Sequence, residues 1–320
     1  MAELKIFAGQ AGTILSEKVC RELHITPGQA RVSRFADGEV DVQFLENVRD
    51  SDLFIINSTN PPAENLMEVA LLCEAARGSS AGRITLVPTY LGYNRQDRKD
   101  RPRVPISARL AARVLSLCGA DRVLLLDLHS EPTMGFFDPR IITDHLYASP
   151  ISIPYLKTLL KGDFVVAAPD KGGGPRAEAY AARLGLGDYV LFTKSRSGTG
   201  EIKERSIKLI GDVDGKDVVF VDDMIDTAGT LSADIAAAKE HGARNVYVFA
   251  THALFSKDAI ERLDRSGAKE IIITDSIYHP PEKLKTEHVK ITVLSLAPFL
   301  ADAISRIHKG ESLSPLIMQT

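Results

Sequence analysis

The stretch VVFVDDMIDTAGTL, residues 218–231, sets a strand-like apolar run against two adjacent acids and then a short polar turn. Asp222 and Asp223 stand where the apolar run stops, and Asp226, Thr227, Ala228, Gly229 and Thr230 follow. In parallel sheets, ligands bind beyond the carboxyl ends of the strands, where loops lead into helix N-termini. Backbone N–H groups of a small-residue turn, aided by the helix dipole, suit a phosphate there. The two acids would repel a phosphate, but carboxylates accept hydrogen bonds from sugar hydroxyls. One ligand with a hydroxylated end and a phosphorylated end satisfies both, and ribose 5-phosphate has that form. An isolated pair of acids reads more simply as a helix cap; strand, acids and turn together are more specific.

Four other clusters carry chemistry. NRQDRKDRPR, residues 94–103, is the densest cationic stretch, with Arg95, Arg98, Lys99, Arg101 and Arg103 interrupted by Gln96, Asp97, Asp100 and a proline. It reads as a plain surface loop, or as a guanidinium-rich loop that closes over a triphosphate. PDKGGGPR, residues 169–176, brings Asp170, Lys171, Gly172, Gly173 and Gly174 after a strand, where glycines let backbone N–H groups approach a diphosphate. FTKSRSGTGEI offers Lys194 and Arg196, which face the same way in an extended segment and suit moving phosphoryl charge. FADGEV, residues 35–40, reads on its own as a turn followed by an edge strand. His129 ends the strand-like RVLLLDL, where a lone histidine is ordinarily a structural hydrogen-bonding residue.

The elements that must position these residues follow from the hydrophobic pattern. Strand-length apolar runs at 52–57, 83–88 and 122–128 alternate with helix-like segments at 65–78 and 105–119. The pattern begins again after Pro150, with runs at 164–170, 188–195, 217–223, 245–252 and 270–276 and helical segments at 175–185 and 230–242. Such alternation predicts an α/β fold with two mostly parallel sheets flanked by helices. The boundary is expected near YASPISIP, where two prolines interrupt the periodicity, giving domains 1–149 and 150–296. An amphipathic helix within 297–320, ended by Gly310, is expected to pack back on the first. RITLVPTYLGYNR beside FVVAAPDKGGGPR suggests an internal duplication.

Composition narrows the classes. The chain has 320 residues, 44% hydrophobic and 25% charged, with a formal net charge of -3, which leaves no broad electrostatic footprint for nucleic acid or an anionic membrane. No secretion-signal pattern opens it and no apolar run reaches membrane-spanning length, so a cytoplasmic protein is expected. Cys20, Cys73 and Cys118 lack CxxC spacing and read as packing thiols.

VVFVDDMIDTAGT resembles the phosphoribosyl diphosphate binding motif shared by phosphoribosyltransferases and ribose-phosphate diphosphokinases. FADGEV, YLGYNRQDRKDRPRVPISARL, LLDLHS, APDKGG and ATHALFS resemble the diphosphokinases in sequence and order, and the likeness runs to RIHKGES near the C-terminus. The resemblance implies two tandem phosphoribosyltransferase-like (type I) domains. It implies transfer of the diphosphoryl group of ATP to the C1 hydroxyl of ribose 5-phosphate, with Mg2+. It implies that Phe35, Asp37, Gly38 and Glu39 meet the nucleotide from a neighbouring subunit, with Arg95, Gln96 and Asp97 on ATP. His129 and Asp170 are implied as magnesium residues, Asp170 to Gly174 as the pyrophosphate loop, and Lys194 and Arg196 as catalytic cations. Ribose 5-phosphate is assigned to Arg196, Asp222, Asp223 and Asp226 to Thr230. A homo-oligomer is implied, with a dimer for the ATP site and a hexamer as the family assembly. The chain departs from the commonest bacterial pattern at Gly174 and Pro175, in KSRSGTGEI, in ARGSSAGRI and at Leu316; the last two bear on regulation by phosphate and ADP. The alternatives are a phosphoribosyltransferase, which would leave the ATP-type segments without work, and a non-catalytic regulatory paralogue, which would be expected to lose the cations that Arg95, Lys194 and Arg196 retain.

Overall fold

The computed structural model describes residues 2–197 and 204–317, with the backbone alone for 194–197 and 204–206. The chain runs β1 (Leu4–Ala8), α1 (Thr13–Glu22), β2 (Ala30–Arg34), β3 (Val40–Phe44), β4 (Asp52–Asn57), α2 (Glu64–Gly78), β5 (Arg83–Pro88), α3 (Ser107–Leu117), β6 (Arg122–Leu126), β7 (Ile142–Leu146), α4 (Ser149–Leu159), β8 (Phe164–Ala168), α5 (Gly174–Leu184), β9 (Val190–Ser197), β10 (Glu204–Ile210), β11 (Asp217–Ile225), α6 (Gly229–Glu240), β12 (Asn245–Ala253), α7 (Ala259–Asp264), β13 (Glu270–Thr274), β14 (Lys290–Leu294), α8 (Ala297–Lys309) and α9 (Ser314–Ile317). It divides into two compact units. One holds the chain through Ala148, residues 276–278 and the stretch from Ser295; the other holds Ser149–Asp275 and His279–Leu294.

The first unit is built on a five-stranded sheet, β1-β4-β5-β6-β7, whose pairings are all parallel. Helices cover a parallel sheet, so its inner strands are mainly apolar; every residue of β4, DLFIIN, is buried, its polar ends included. Leu53, Ile55, Leu72, Leu86, Leu115 and Leu125 share one core. β2 and β3 form a separate antiparallel ribbon whose Val32, Val42 and Phe44 pack against that core, with Phe44 edge-on to Phe7.

The second unit carries a seven-stranded sheet, β10-β9-β8-β11-β12-β13-β14. β9 and β10 pair antiparallel, and the remaining pairings are parallel. Phe192, Phe220, Ile235, Val248 and Ile271 lie in its core.

Both units repeat one order of elements: strand, helix, hairpin, strand, helix, strand, helix, strand, strand. The sheet orders correspond as well, β1-β4-β5-β6-β7 matching β8-β11-β12-β13-β14. The equivalent of Phe164–Ala168 is therefore Leu4–Ala8, and the alignment of RITLVP with FVVAAP is out of register, because a strand followed by proline and glycine recurs throughout such folds. YASPISIP spans the division between the units, which falls between Ala148 and Ser149. It opens α4, with Pro150 in the first turn, where its missing N–H has no intrahelical partner, and Pro154 inside the helix.

The two trailing helices are distributed crosswise. α4 packs on α5 in the second unit, and α8 packs on α1 in the first. α8 ends at Gly310, whose φ of 71° turns the chain left-handed as glycine allows. No described helix is long and apolar enough to cross a membrane.

Candidate active site

The second unit gathers most of the acidic and glycine-rich residues at one sheet edge. β11 extends beyond β8, which it pairs with only as far as Phe220 opposite Ala167. Asp222 lies in this overhang opposite Ala250 of β12, and its Oδ1 accepts the Asp223 N–H at 2.9 Å. Burial pushes the Asp222 carboxyl well above the usual carboxylate range, and the charge of Asp223 raises it further; Arg176 on α5 offsets part of this. Two acids held close, Asp223 buried and Asp222 half-buried, are thus placed to meet hydroxyl donors or a cation. Arg176 was not singled out by the sequence reading, and its signal was its place next to Pro175 at the start of a helix.

Beyond Ile225 the turn is held by Leu254 and Phe255, whose N–H groups both donate to the Ile225 carbonyl, and by Ser256, which donates to that of Asp226. Ala228 sits at φ 57° and serves as N-cap of α6, offering no side chain to its first N–H groups. The neighbouring strand β8 delivers a second helix start. Asp170, exposed, accepts the Gly173 N–H at 2.9 Å, and Gly173 is the N-cap of α5 without a side-chain cap. A Cβ at Gly174 would lie 3.0 Å from the Tyr189 hydroxyl. Gly174 is the first residue of α5, with Pro175 beside it in the first turn. Two helix N-termini therefore follow adjacent parallel strands, a spacing of about 4.8 Å at the sheet, and the acid pair lies on one of them, β11.

β9 continues this edge, with Lys194 opposite Ile207 and Arg196 opposite Arg205 in the hairpin. The side chains of Lys194 and Arg196, and residues 198–203, lie outside the described residues.

In the first unit, Arg95, Gln96, Asp97, Arg98, Asp100, His129 and Ser130 line an open concavity of about 300 Å³. The Ser130 hydroxyl donates to Asp97 at 2.6 Å, and Thr133 donates to Asn94 at 2.6 Å, tying the cationic loop to the segment that bears His129. The loop is seated on the end of β4: the Gly92 N–H donates to the Thr59 hydroxyl at 2.7 Å, and a Cβ on Gly92 would come within 2.1 Å of the Thr59 carbonyl oxygen. Phe35, Asp37, Gly38 and Glu39 lie apart from this concavity's lining, at the tip of the β2–β3 ribbon. There the Phe35 N–H donates to the Glu39 carbonyl and Gly38 has φ 97°, while the Phe35 ring is 56% exposed.

A family model for the N-terminal domain of ribose phosphate pyrophosphokinase matches residues 4–119, and one for the phosphoribosyl synthetase-associated domain matches residues 200–318. A ribose-phosphate pyrophosphokinase of Vibrio cholerae is 46% identical over 320 residues, with 99% of each chain covered. This chain belongs to the ribose-phosphate pyrophosphokinase family. A second member, from Chlorobaculum tepidum, is 44% identical over 317 residues, with 98% of this chain and 94% of the relative covered. The crystal structure of phosphoribosylpyrophosphate synthetase from Mycobacterium smegmatis matches with a TM-score of 0.89 at 37% identity, over 96% of this chain and 99% of that one. The family's two-part α/β architecture is thus present from end to end. The chain is an enzyme of this kinase-type transferase family, which serves nucleotide biosynthesis, and full-length identity of this order favours neither the transferase nor the paralogue reading.

Proposed function

We propose that the protein transfers the diphosphoryl group of magnesium ATP to the C1 hydroxyl of ribose 5-phosphate, giving 5-phosphoribosyl 1-diphosphate and AMP. The observation that supports this reading is the pair of helix starts that follow adjacent strands β8 and β11, the latter bearing Asp222 and Asp223. The turn Asp226 to Thr230 takes the 5-phosphate. Asp222 and Asp223 accept hydrogen bonds from the ribose hydroxyls, and Asp170 to Gly174 receives the diphosphate. Arg176 tempers the acid pair. In the first unit, Arg95, Gln96 and Asp97 bind the triphosphate, and Phe35, Asp37, Gly38 and Glu39 meet the nucleotide. The exposed ring at the ribbon tip supports action on a neighbouring copy, so a homo-oligomer is needed, a dimer at least and a hexamer as the family assembly.

Among the described residues no group of three or more His, Cys, Asp or Glu side chains could hold a metal. Magnesium fits such a site, because it keeps several waters and binds through one or two carboxylates together with substrate phosphates. Asp170, with an exposed carboxylate at the mouth of the loop, would hold it; the family resemblance assigns His129 of the first unit to magnesium as well, through a water. When bound, it would supply charge neutralisation across the phosphates. The chain's own residues supply alignment of the C1 hydroxyl for in-line attack on the β-phosphorus, and Lys194 and Arg196 stabilise the charge that moves onto the departing AMP. No covalent intermediate is required. The substrates are small anions, nucleic acid and membrane have no part, and the cytoplasm is the place of action.

The test is incubation with ribose 5-phosphate, magnesium and ATP, resolving AMP from ADP by chromatography, with and without inorganic phosphate. AMP formed in equal amount with phosphoribosyl diphosphate is the expected result. ADP, or no turnover under either condition, would overturn the assignment.

A further inference from the structure

The ribbon that carries Phe35 is not hydrogen-bonded into the main sheet of its unit, so its direction depends on what holds its base. The apolar end is seated by Val32, Val42 and Phe44. Toward the tip, the last anchor is polar. Arg34, immediately before Phe35, reaches Glu68 on α2 with Nη2 2.8 Å from Oε1. Glu68 has no exposed surface at all, and its neighbours Leu66, Val69, Leu72 and Cys73 on the same helix are core residues. A carboxylate in such a place costs several kcal/mol unless it is paired and fully hydrogen-bonded. It is both: Oε2 accepts the Gln10 N–H at 2.8 Å, from the turn between β1 and α1. Gln10 in turn donates from Nε2 to the Val32 carbonyl at 3.3 Å. The helix, the turn and the ribbon therefore meet on one buried side chain where an apolar residue would satisfy packing alone.

The tip beyond this point is internally tied. Gly38 N–H donates to the Phe35 carbonyl at 2.9 Å and Glu39 N–H to Asp37 Oδ1 at 3.1 Å. A tip that holds its own shape moves as one piece with the residue at its base. We propose that Glu68, acting through Arg34, is a positioning residue that aims the Phe35–Glu39 tip at the nucleotide. This rests on the reading above that the tip meets ATP.

The test is steady-state kinetics on Glu68→Gln and Arg34→Lys, with Phe35→Ala as the reference for the tip itself. Glu68→Gln keeps an acceptor for Gln10 and removes the charge; Arg34→Lys keeps the charge and removes the fork. Both are expected to raise KM for ATP roughly fivefold or more, as misaiming of a binding group does, with KM for ribose 5-phosphate and kcat at saturating ATP within about twofold of the parent. If Glu68→Gln fails to fold, the double variant Arg34→Met, Glu68→Met leaves no unpaired buried charge and decides the matter by the same split. Folded pin variants with unchanged KM for ATP, or with both KM values raised alike, overturn the proposal when Phe35→Ala raises KM for ATP selectively. If Phe35→Ala itself leaves that constant unchanged, the nucleotide reading of the tip is what fails.

Discussion

Asp52→Asn should loosen the C-terminal helix from the first unit. Asp52 opens β4, 3% exposed, and accepts from Arg83 Nε at 2.7 Å, from Arg83 Nη2 at 2.6 Å and from His308 Nδ1 at 2.7 Å. Arg83 Nη2 also donates to the Ile307 carbonyl at 2.8 Å, so one carboxylate organises both the strand pair and the end of α8. The same hydrogen bonding raises the Arg83 pKa above its ordinary value. Asparagine keeps one acceptor oxygen, loses the charge that pairs with Arg83, and cannot accept both guanidinium N–H groups. Breaking a buried ion pair costs about 3–5 kcal/mol; the Arg83 side chain is 37% exposed, which puts this one near the lower end, about 3 kcal/mol. At about 2–4 °C per kcal/mol for a unit of this size, Tm should fall by roughly 6–12 °C. Circular dichroism melting gives the shift, and limited proteolysis read by mass spectrometry gives its place, with earlier cleavage around α8. A shift below about 2 °C, or unchanged cleavage at α8, would show that packing on α1 holds the helix without this clasp.

Three further outcomes are expected. Lys194→Ala should lower turnover about a hundredfold with little change in either KM; unchanged turnover removes it from the catalytic residues. Asp222→Asn should stabilise the unliganded protein by about 1 kcal/mol near neutral pH while abolishing ribose 5-phosphate binding. Because the Asp222 pKa is raised on folding, the native state holds this proton more tightly, and stability falls as pH rises from the ordinary aspartate range through the raised value. That fall should flatten in Asp222→Asn, and urea midpoints with the same pH slope in both proteins would refute the argument. Burial pushes the Cys73 thiol up to about 12 and those of Cys20 and Cys118 up to about 11, so iodoacetamide at pH 8 should label none of the three in the native protein and all three in urea; label on the native chain would contradict the packing.

The strands that bear the chemistry were legible because parallel, doubly covered strands write themselves as unbroken apolar runs: 52–57, 83–88 and 217–223 each fall in a strand. The acid pair and the turn after it were legible for the same reason, since the apolar run stops where the sheet edge begins. The ribbon was read as a turn and one edge strand, because β2, ARVSR, has no buried residue to advertise it. YASPISIP spans the division between the units at Ala148 and Ser149; that it also opens α4 was hidden by its two prolines, because position within a helix is not written in the dipeptide. Arg176, Glu68 and Arg34 were beyond reach for a common reason. Each acts across chain separations, as with the 34 residues between Arg34 and Glu68, and a charged residue in a helix or strand looks the same in sequence whether it faces water or a buried partner.

The crosswise placement of α4 and α8 has a consequence for how the protein is made. The second unit has nearly all its parts once residues 149–294 have been synthesised. The first unit, though its strands emerge from the ribosome earlier, still lacks α8, the helix that covers α1 and meets Asp52 and Arg83. The usual order, in which the N-terminal domain folds first during synthesis, is thereby reversed at the final step. The half that is begun first is finished last, once the residues of α8 have been made.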